Sequence, residues 1–273
     1  MTSRTAAHLA ELAATHLEPD AARRWLALLR PAVQLVPARA GDPVVARLGG
    51  TPELPPGTDW PQWSGHGPLG FVAEVDLAAL AATGADAGLA LPTEGRLLAF
   101  FFDDPDGTGA VVLSGDPDSR PGSRLLHVDG TGPAADPAVE LTAVEVLTWP
   151  GDGHPVLEQS GLDELPDDFA EALGQLLEDE VGVDVWGHQL GGWASAVQGP
   201  VEVEVAETHL GTATYDDAHT AEALRWRPLL QVDSDAAAGT AWGDEGCLYW
   251  LARTDGTQPP RLPDDIGFTW QCA

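Results

Sequence analysis

The chain has 273 residues, 44% of them hydrophobic, and carries 43 acidic against 13 basic side chains for a formal net charge of -30. That length can bury a substantial core without disulfide support, while the charge repels nucleic acid and anionic membranes, both of which need a basic footprint that no arginine cluster supplies here. All 13 basic residues are arginine, which excludes a Schiff-base lysine, a phosphate-loop lysine and a serine–lysine dyad.

No apolar run approaches the roughly 18 residues that a membrane span requires, and Glu11 and His16 interrupt the first apolar stretch where a signal peptide would be continuous. A cytoplasmic location is therefore expected. Cys247 and Cys272 stand far apart in sequence and fit no metal or redox spacing, so they read as reduced, packed thiols.

The N-terminal segment, residues 1–31, reads as two short helices. Leu9, Leu12 and Leu17 recur at helical spacing, Pro19 and Asp20 punctuate, and Trp25, Leu28 and Leu29 mark an apolar side that Pro31 ends. The remainder, 32–273, reads as a single α+β domain. Apolar runs separated by Gly, Pro and Asp predict strands over Val44 to Leu48, Phe71 to Val75, Arg96 to Phe102, Val111 to Leu113, Arg124 to Val128 and Val139 to Leu147, in a mostly antiparallel β-sheet with flanking helices. A helix is predicted over Leu77 to Thr83, and a longer one from Pro166 through Asp167, Asp168, Phe169, Leu173, Leu176 and Leu177, with its acidic face in solvent. Further strands are predicted over Val201 to Val205, Leu229 to Val232, Cys247 to Leu251 and Phe268 to Gln271, with a short helix over Thr220 to Trp226. The stretches Asp103 to Gly109, Gly115 to Gly122 and Gly130 to Pro137 read as hairpin turns or exposed loops.

The two halves echo each other. Leu48-Gly49-Gly50, Pro68-Leu69 opening a strand to Asp76, and Gly95-Arg96-Leu97 recur in the same order as Leu190-Gly191-Gly192, Pro228-Leu229 opening a strand to Asp233, and Gly246-Cys247-Leu248. Tandem half-repeats over 44–148 and 183–273, related by a pseudo-twofold axis, are one reading of this pattern. Chance matching of short segments is the other.

These segments also carry a resemblance. Leu48 to Pro52, Trp60-Pro61, Pro68 to Leu80, Leu91 to Asp103, His188 to Gly192, Leu229 to Asp235, Trp242 to Gly246 and Phe268 to Cys272 resemble the successive blocks of the YwqG-like family. The resemblance implies a bacterial α+β fold with no established activity, some of whose members neighbour toxin systems and have been suggested as immunity proteins. It brings no catalytic residues with it.

Gly65-His66-Gly67-Pro68-Leu69-Gly70 has the dinucleotide-binding letters but leads into a strand rather than a helix, so it is rejected. There is no Gly-x-Ser-x-Gly elbow and no His-Glu-x-x-His. Asp103, Asp104 and Asp106 before Gly107 lack the glutamate of a calcium loop and read as a turn. The ten tryptophans, among them Trp186, Trp193, Trp226, Trp242, Trp250 and Trp270, read first as core and second as the wall of a ligand groove.

One constellation is the candidate ligand site: His188, Gln189, Asp233, Asp235, Trp242, Asp244 and Glu245. Imidazole and carboxylates could bind a cation or move a proton, or could brace turns and strand ends. No residue is assigned a catalytic or metal-binding role, and no cofactor is expected. Two functional readings follow. The first is a non-enzymatic acidic module that binds a basic protein partner, as an immunity protein would; the second is an enzyme or small-ligand binder using a His/Asp-lined pocket.

Overall fold

The computed structural model describes residues 5–104, 107, 109, 111–113, 115–130, 138–181, 187–212, 214, 216–254 and 265–273, with side chains 178–181 left aside. In chain order it contains α1 (Ala6–His16), α2 (Pro19–Leu26), β1 (Arg30–Pro37), β2 (Ala46–Leu48), β3 (Gln62–Trp63), β4 (Gly67–Pro68), β5 (Gly70–Asp76) and α3 (Leu77–Thr83). There follow β6 (Arg96–Phe101), a 3-10 turn (Pro117–Gly122), β7 (Ser123–Val128), β8 (Val139–Thr148), α4 (Pro155–Gln159) and α5 (Asp167–Val181). The chain continues through β9 (His188–Gly191), α6 (Val201–Leu210), α7 (Asp217–Ala223), β10 (Trp226–Asp233), β11 (Cys247–Arg253) and β12 (Ile266–Gln271).

Ten strands form one antiparallel sheet in the order β12-β11-β10-β9-β1-β8-β2-β5-β6-β7. The chain is thus α+β, with a large antiparallel sheet and a helical N-terminus. The sheet curls into a near-barrel, because right-handed twist accumulates over many strands. Its two wings consequently approach each other: Phe101 of β6, next to the edge strand, lies 5.5 Å from Phe268 of β12, ring centre to ring centre. Inside the curl, Val33, Leu48, Val75, Leu98, Phe100, Leu190, Leu230, Leu248 and Trp250 make one continuous core. β6 is buried at every position, which is why its sequence runs apolar without alternating. Each such large side chain contributes about 1.5–3 kcal/mol by leaving water.

Two smaller cores sit outside the curl. Val201, Val205, Trp226, Tyr249 and Leu251 join α6 to the outer face of β10 and β11. Leu9, Trp25, Phe169 and Leu173 join α1 and α2 to α5, where Trp25 meets Phe169 edge-on at 4.9 Å. Asp76 caps α3 by accepting the Ala79 N–H at 2.9 Å, and Gly84 ends it in the left-handed region at φ 75°.

Two predicted strands are corrected. Val201 to Val205 opens α6 instead: its Val-Glu alternation imitates a half-buried strand, but Glu202 and Val203 are both buried, so burial surrounds most of the helix and blurs its 3.6-residue period. Val111 to Leu113 joins no ladder. Its backbone is held by side chains, Leu113 N–H donating to Ser119 Oγ at 3.0 Å and the Trp270 indole donating to Val112 O at 2.7 Å. Conversely β1 and β9, neither of them predicted as strands, lie side by side near the middle of the sheet.

The strand order bears on the echo between halves. From the central β8–β1 pair, the sheet runs outward through β2, β5, β6 and β7 on one side and through β9, β10, β11 and β12 on the other. On one side Leu77 N–H donates to Gly95 O at 3.0 Å, and on the other Ser234 N–H donates to Gly246 O at 3.1 Å.

Candidate functional site

Of the candidate residues, His188, Asp233, Asp235 and Trp242 meet at one end of β9 and β10. His188 Nδ1 accepts the Asp233 N–H at 3.1 Å, so the ring proton sits on Nε2, which faces Asp235 Oδ2 at 3.3 Å. Burial lowers the imidazole pKa from its ordinary value, with Asp235 and Asp233 pulling the other way. Burial raises the Asp235 carboxyl, but the Ala238 N–H and His188 outweigh it and leave the group below its ordinary value. Asp233 accepts the Gly187 N–H at 3.0 Å, and its carbonyl accepts the Trp242 indole N–H at 3.2 Å. Both nitrogens of the ring are therefore engaged within the protein.

Asp244 and Glu245 stand apart from this cluster, in an exposed turn where Glu245 adopts a left-handed φ of 48°. Gln189 points to the other face of the sheet, as strand alternation requires. There it belongs to a transverse polar row that the register sets up: Gln34 opposes Gln189, Gln189 opposes Gln231, Gln231 opposes Tyr249 and Tyr249 opposes Thr269.

That row, with Gln271, anchors the irregular segment 193–199. Gln189 Nε2 donates to Gly191 O at 2.9 Å and Trp193 O at 2.8 Å. Gln231 Oε1 accepts the Ser195 N–H at 3.0 Å, and the Tyr249 hydroxyl donates to Ser195 O at 2.9 Å. Gln271 Oε1 accepts from Val197 N at 2.9 Å and Gln198 N at 3.0 Å, while its Nε2 donates to Gly199 O at 2.8 Å. A segment without secondary structure must satisfy its backbone somehow when buried, and here amide side chains do it.

Sequence reasoning missed a second polar group, beneath the start of α6. His154 Nε2 lies 3.5 Å from Glu202 Oε2, both side chains 3% exposed. Arg30 stacks on Trp193 with its guanidinium carbon 3.2 Å from the ring centre, and the His154 ring meets the same indole at 4.8 Å. Burial lowers the Arg30 pKa to about 9, Arg227 adding to the shift and Glu202 opposing it. The only sequence signal was Trp193 directly after the double glycine, since Arg30, His154, Glu202 and Arg227 lie in four separate segments.

The tryptophans are mainly structural: Trp25, Trp193, Trp226, Trp242 and Trp250 are buried, and Trp186 lies outside the described residues. Cys247 is fully buried, and burial raises its thiol pKa well above the ordinary value, the condition of an inert packed cysteine. Among the described residues, no group of three or more His, Cys, Asp or Glu is placed to hold a metal ion, and no helix is long and apolar enough to cross a membrane.

The fold and these residues define an α+β protein whose conspicuous polar side chains mostly hold backbone in place. The chain belongs to the family described as Domain of unknown function (DUF1963), which matches residues 46–272. No curated protein matches it. The match leaves α1, α2 and β1 outside, although β1 sits at the centre of the sheet.

Proposed function

We propose that the chain is a non-catalytic binding protein that captures a cationic protein partner on an acidic helical face. The observation that carries this reading is the face built by α1, α4 and α5. Glu11, Glu158, Asp163, Glu164, Asp167, Asp168 and Glu171 are all exposed on these helices and the link between α4 and α5; among the described residues the basic groups near them are His16, 3.0 Å from Asp168, and Arg24, which reaches the link beside Gly161. Seven carboxylates with so little local compensation create a field that accelerates encounter with a cationic surface and disfavours acidic competitors. The net charge of -30 extends that field over the rest of the molecule.

The engagement of both His188 nitrogens supports the same reading over an enzyme or metal-dependent ligand binder, since a general base or a metal ligand needs a nitrogen that is free to react. The resemblance to YwqG-like proteins, some of which have been suggested as immunity proteins, points the same way. The mirrored strand order supports reading 44–148 and 183–273 as half-repeats, with the partner surface lying on the helices outside both sheet wings. Pull-down from host lysate, washed at low and then high salt, tests the proposal. A stoichiometric basic protein released by salt is the expected result, and capture of only neutral or acidic proteins would count against it.

A further inference from the structure

Where the curled sheet fails to close, β7 and β12 face each other across a cleft of about 260 Å³, with α6 forming its third side. Its lining reverses the charge balance of the chain. Arg120, Arg124 and His209 line it together with Ser119, Ser123 and Thr208, and among the described residues no carboxylate does, in a sequence with 43 acidic residues against 13 arginines. Neither arginine has an ion-pair partner among the described residues. Arg124 donates only to main-chain carbonyls, those of Arg120 at 3.0 Å and Ser123 at 2.7 Å. Burial and the neighbouring Arg120 lower its guanidinium pKa with no carboxylate opposing them. His209 faces Glu222 at 3.8 Å, a carboxylate that also pairs with Arg225 and Arg253.

The remaining walls are apolar, and the cleft is kept open by a glycine. Leu125, Val205, Trp226 and Phe268 contribute to the lining. A Cβ on Gly267 would come within 2.3 Å of Val205 Cγ1 and 3.0 Å of the Trp226 ring, so any other residue there would disturb two walls of the cleft. At the mouth, Leu113 lines the cleft at 55% exposure, with Val111 at 47% and Leu210 at 41% beside it. These are the large hydrophobic side chains that the described surface leaves exposed, and all three belong to segments that border this opening.

We infer that the seam cleft is a binding site for a small amphipathic anion, a molecule with a carboxylate, phosphate or sulfonate head and an apolar or aromatic body. The head lies with Arg120 and Arg124, where charge-assisted bonds are strong and directional. The body lies along Trp226, Phe268 and Leu125. The volume fits a small molecule, slightly below the ~300 Å³ at which ordinary ligand pockets begin. The site is separate from the acidic helical face and does not depend on it.

The test is a fluorescence titration of the full chain with 1-anilinonaphthalene-8-sulfonate, set beside its neutral counterpart N-phenyl-1-naphthylamine. The wild-type protein is expected to saturate with one sulfonate per chain, despite an overall field that repels anions. Arg120→Gln and Arg124→Gln together are expected to weaken it about tenfold or more, the loss of one to two charge-assisted bonds, while the neutral probe changes less than twofold. The Arg120 side chain is exposed, so Arg120→Gln alone keeps the fold and should show part of the loss. Sulfonate binding that is unchanged in the double variant, that never saturates at one site, or that the neutral probe matches would overturn the inference.

Discussion

His188 Nε2 lies 3.3 Å from Asp235 Oδ2, while His188 Nδ1 receives the backbone N–H of Asp233 at 3.1 Å. A histidine bonded at both nitrogens, and lowered in pKa by burial, is a neutral brace between β9 and β10. The folded state therefore binds fewer protons than the unfolded chain, and this contribution to stability is lost as pH falls below about 6.5, the unfolded histidine value. Replacing His188 by Gln should cost about 1–3 kcal/mol at pH 7.5 and make the urea midpoint less steeply dependent on pH between 7.5 and 5. A variant with the wild-type pH slope would show that the ring does not titrate as described.

Glu74 is 2% exposed and bonds Arg96 Nη1 at 2.8 Å, with Arg47 Nη1 at 3.7 Å. Burial raises the carboxyl pKa and Arg96 opposes it. Arg96→Met strands a buried carboxylate and should destabilise by about 3–5 kcal/mol. Glu74→Met with Arg96→Met should recover much of that loss, because the pair's desolvation cost disappears with the pair. Equal losses in the single and double variants would contradict this.

Gly49 and Gly191, each the first glycine of a Leu-Gly-Gly run, stand at φ 66° and 69°. A Cβ on Gly49 would meet nothing closer than Ala238 O at 3.6 Å, whereas one on Gly191 would lie 1.7 Å from Ala87 O. Gly49→Ala should therefore cost only the left-handed backbone conformation, about 1–2 kcal/mol. Gly191→Ala should cost several times more, since backbone must move. Comparison of their thermal unfolding checks the order.

Gln271→Leu removes the acceptor for two part-buried backbone donors, Val197 N–H and Gln198 N–H. The cost is below the roughly 1–3 kcal/mol of a fully buried unsatisfied donor, because water can reach these amides, and segment 193–199 should open locally before the sheet does. Hydrogen exchange should show lost protection at Val197 and Gln198, with β10 and β11 unaffected. Unchanged exchange at those two amides would mean the glutamine does not hold the segment.

The sequence revealed elements whose surroundings differ on two sides, and hid those that are enclosed. α3 and α5 were legible because capping residues and one solvated face mark them, and β5, β6, β10 and β11 because turn residues bound their apolar runs. α6 was misread because burial around most of the helix blurred its period. β1 was missed because Pro31 reads as a helix stop, although a proline is tolerated at the first positions of a strand. His188, Asp233, Asp235 and Trp242 could be grouped from small-residue blocks, but no spacing revealed that Asp244 and Glu245 would turn outward. The polar row of Gln34, Gln189, Gln231, Tyr249 and Thr269 depends on register across five strands, which a single sequence does not encode locally. The arginines of the seam cleft lie in and beside a turn that composition alone marks as loop.

The most direct test of the proposed function compares two baits for one captured partner. The wild-type chain and the variant Asp163→Asn, Glu164→Gln, Asp167→Asn, Glu171→Gln differ on the α4–α5 face by four charges and by no buried side chain. Association rates would be measured for the partner at about 50 mM and 300 mM salt, where screening lengths differ more than twofold. The account predicts fast, salt-sensitive association with a basic partner for the wild type, and a rate several-fold slower at low salt with a shallower salt dependence for the variant. Equal rates for the two baits at low salt would contradict capture by this acidic face.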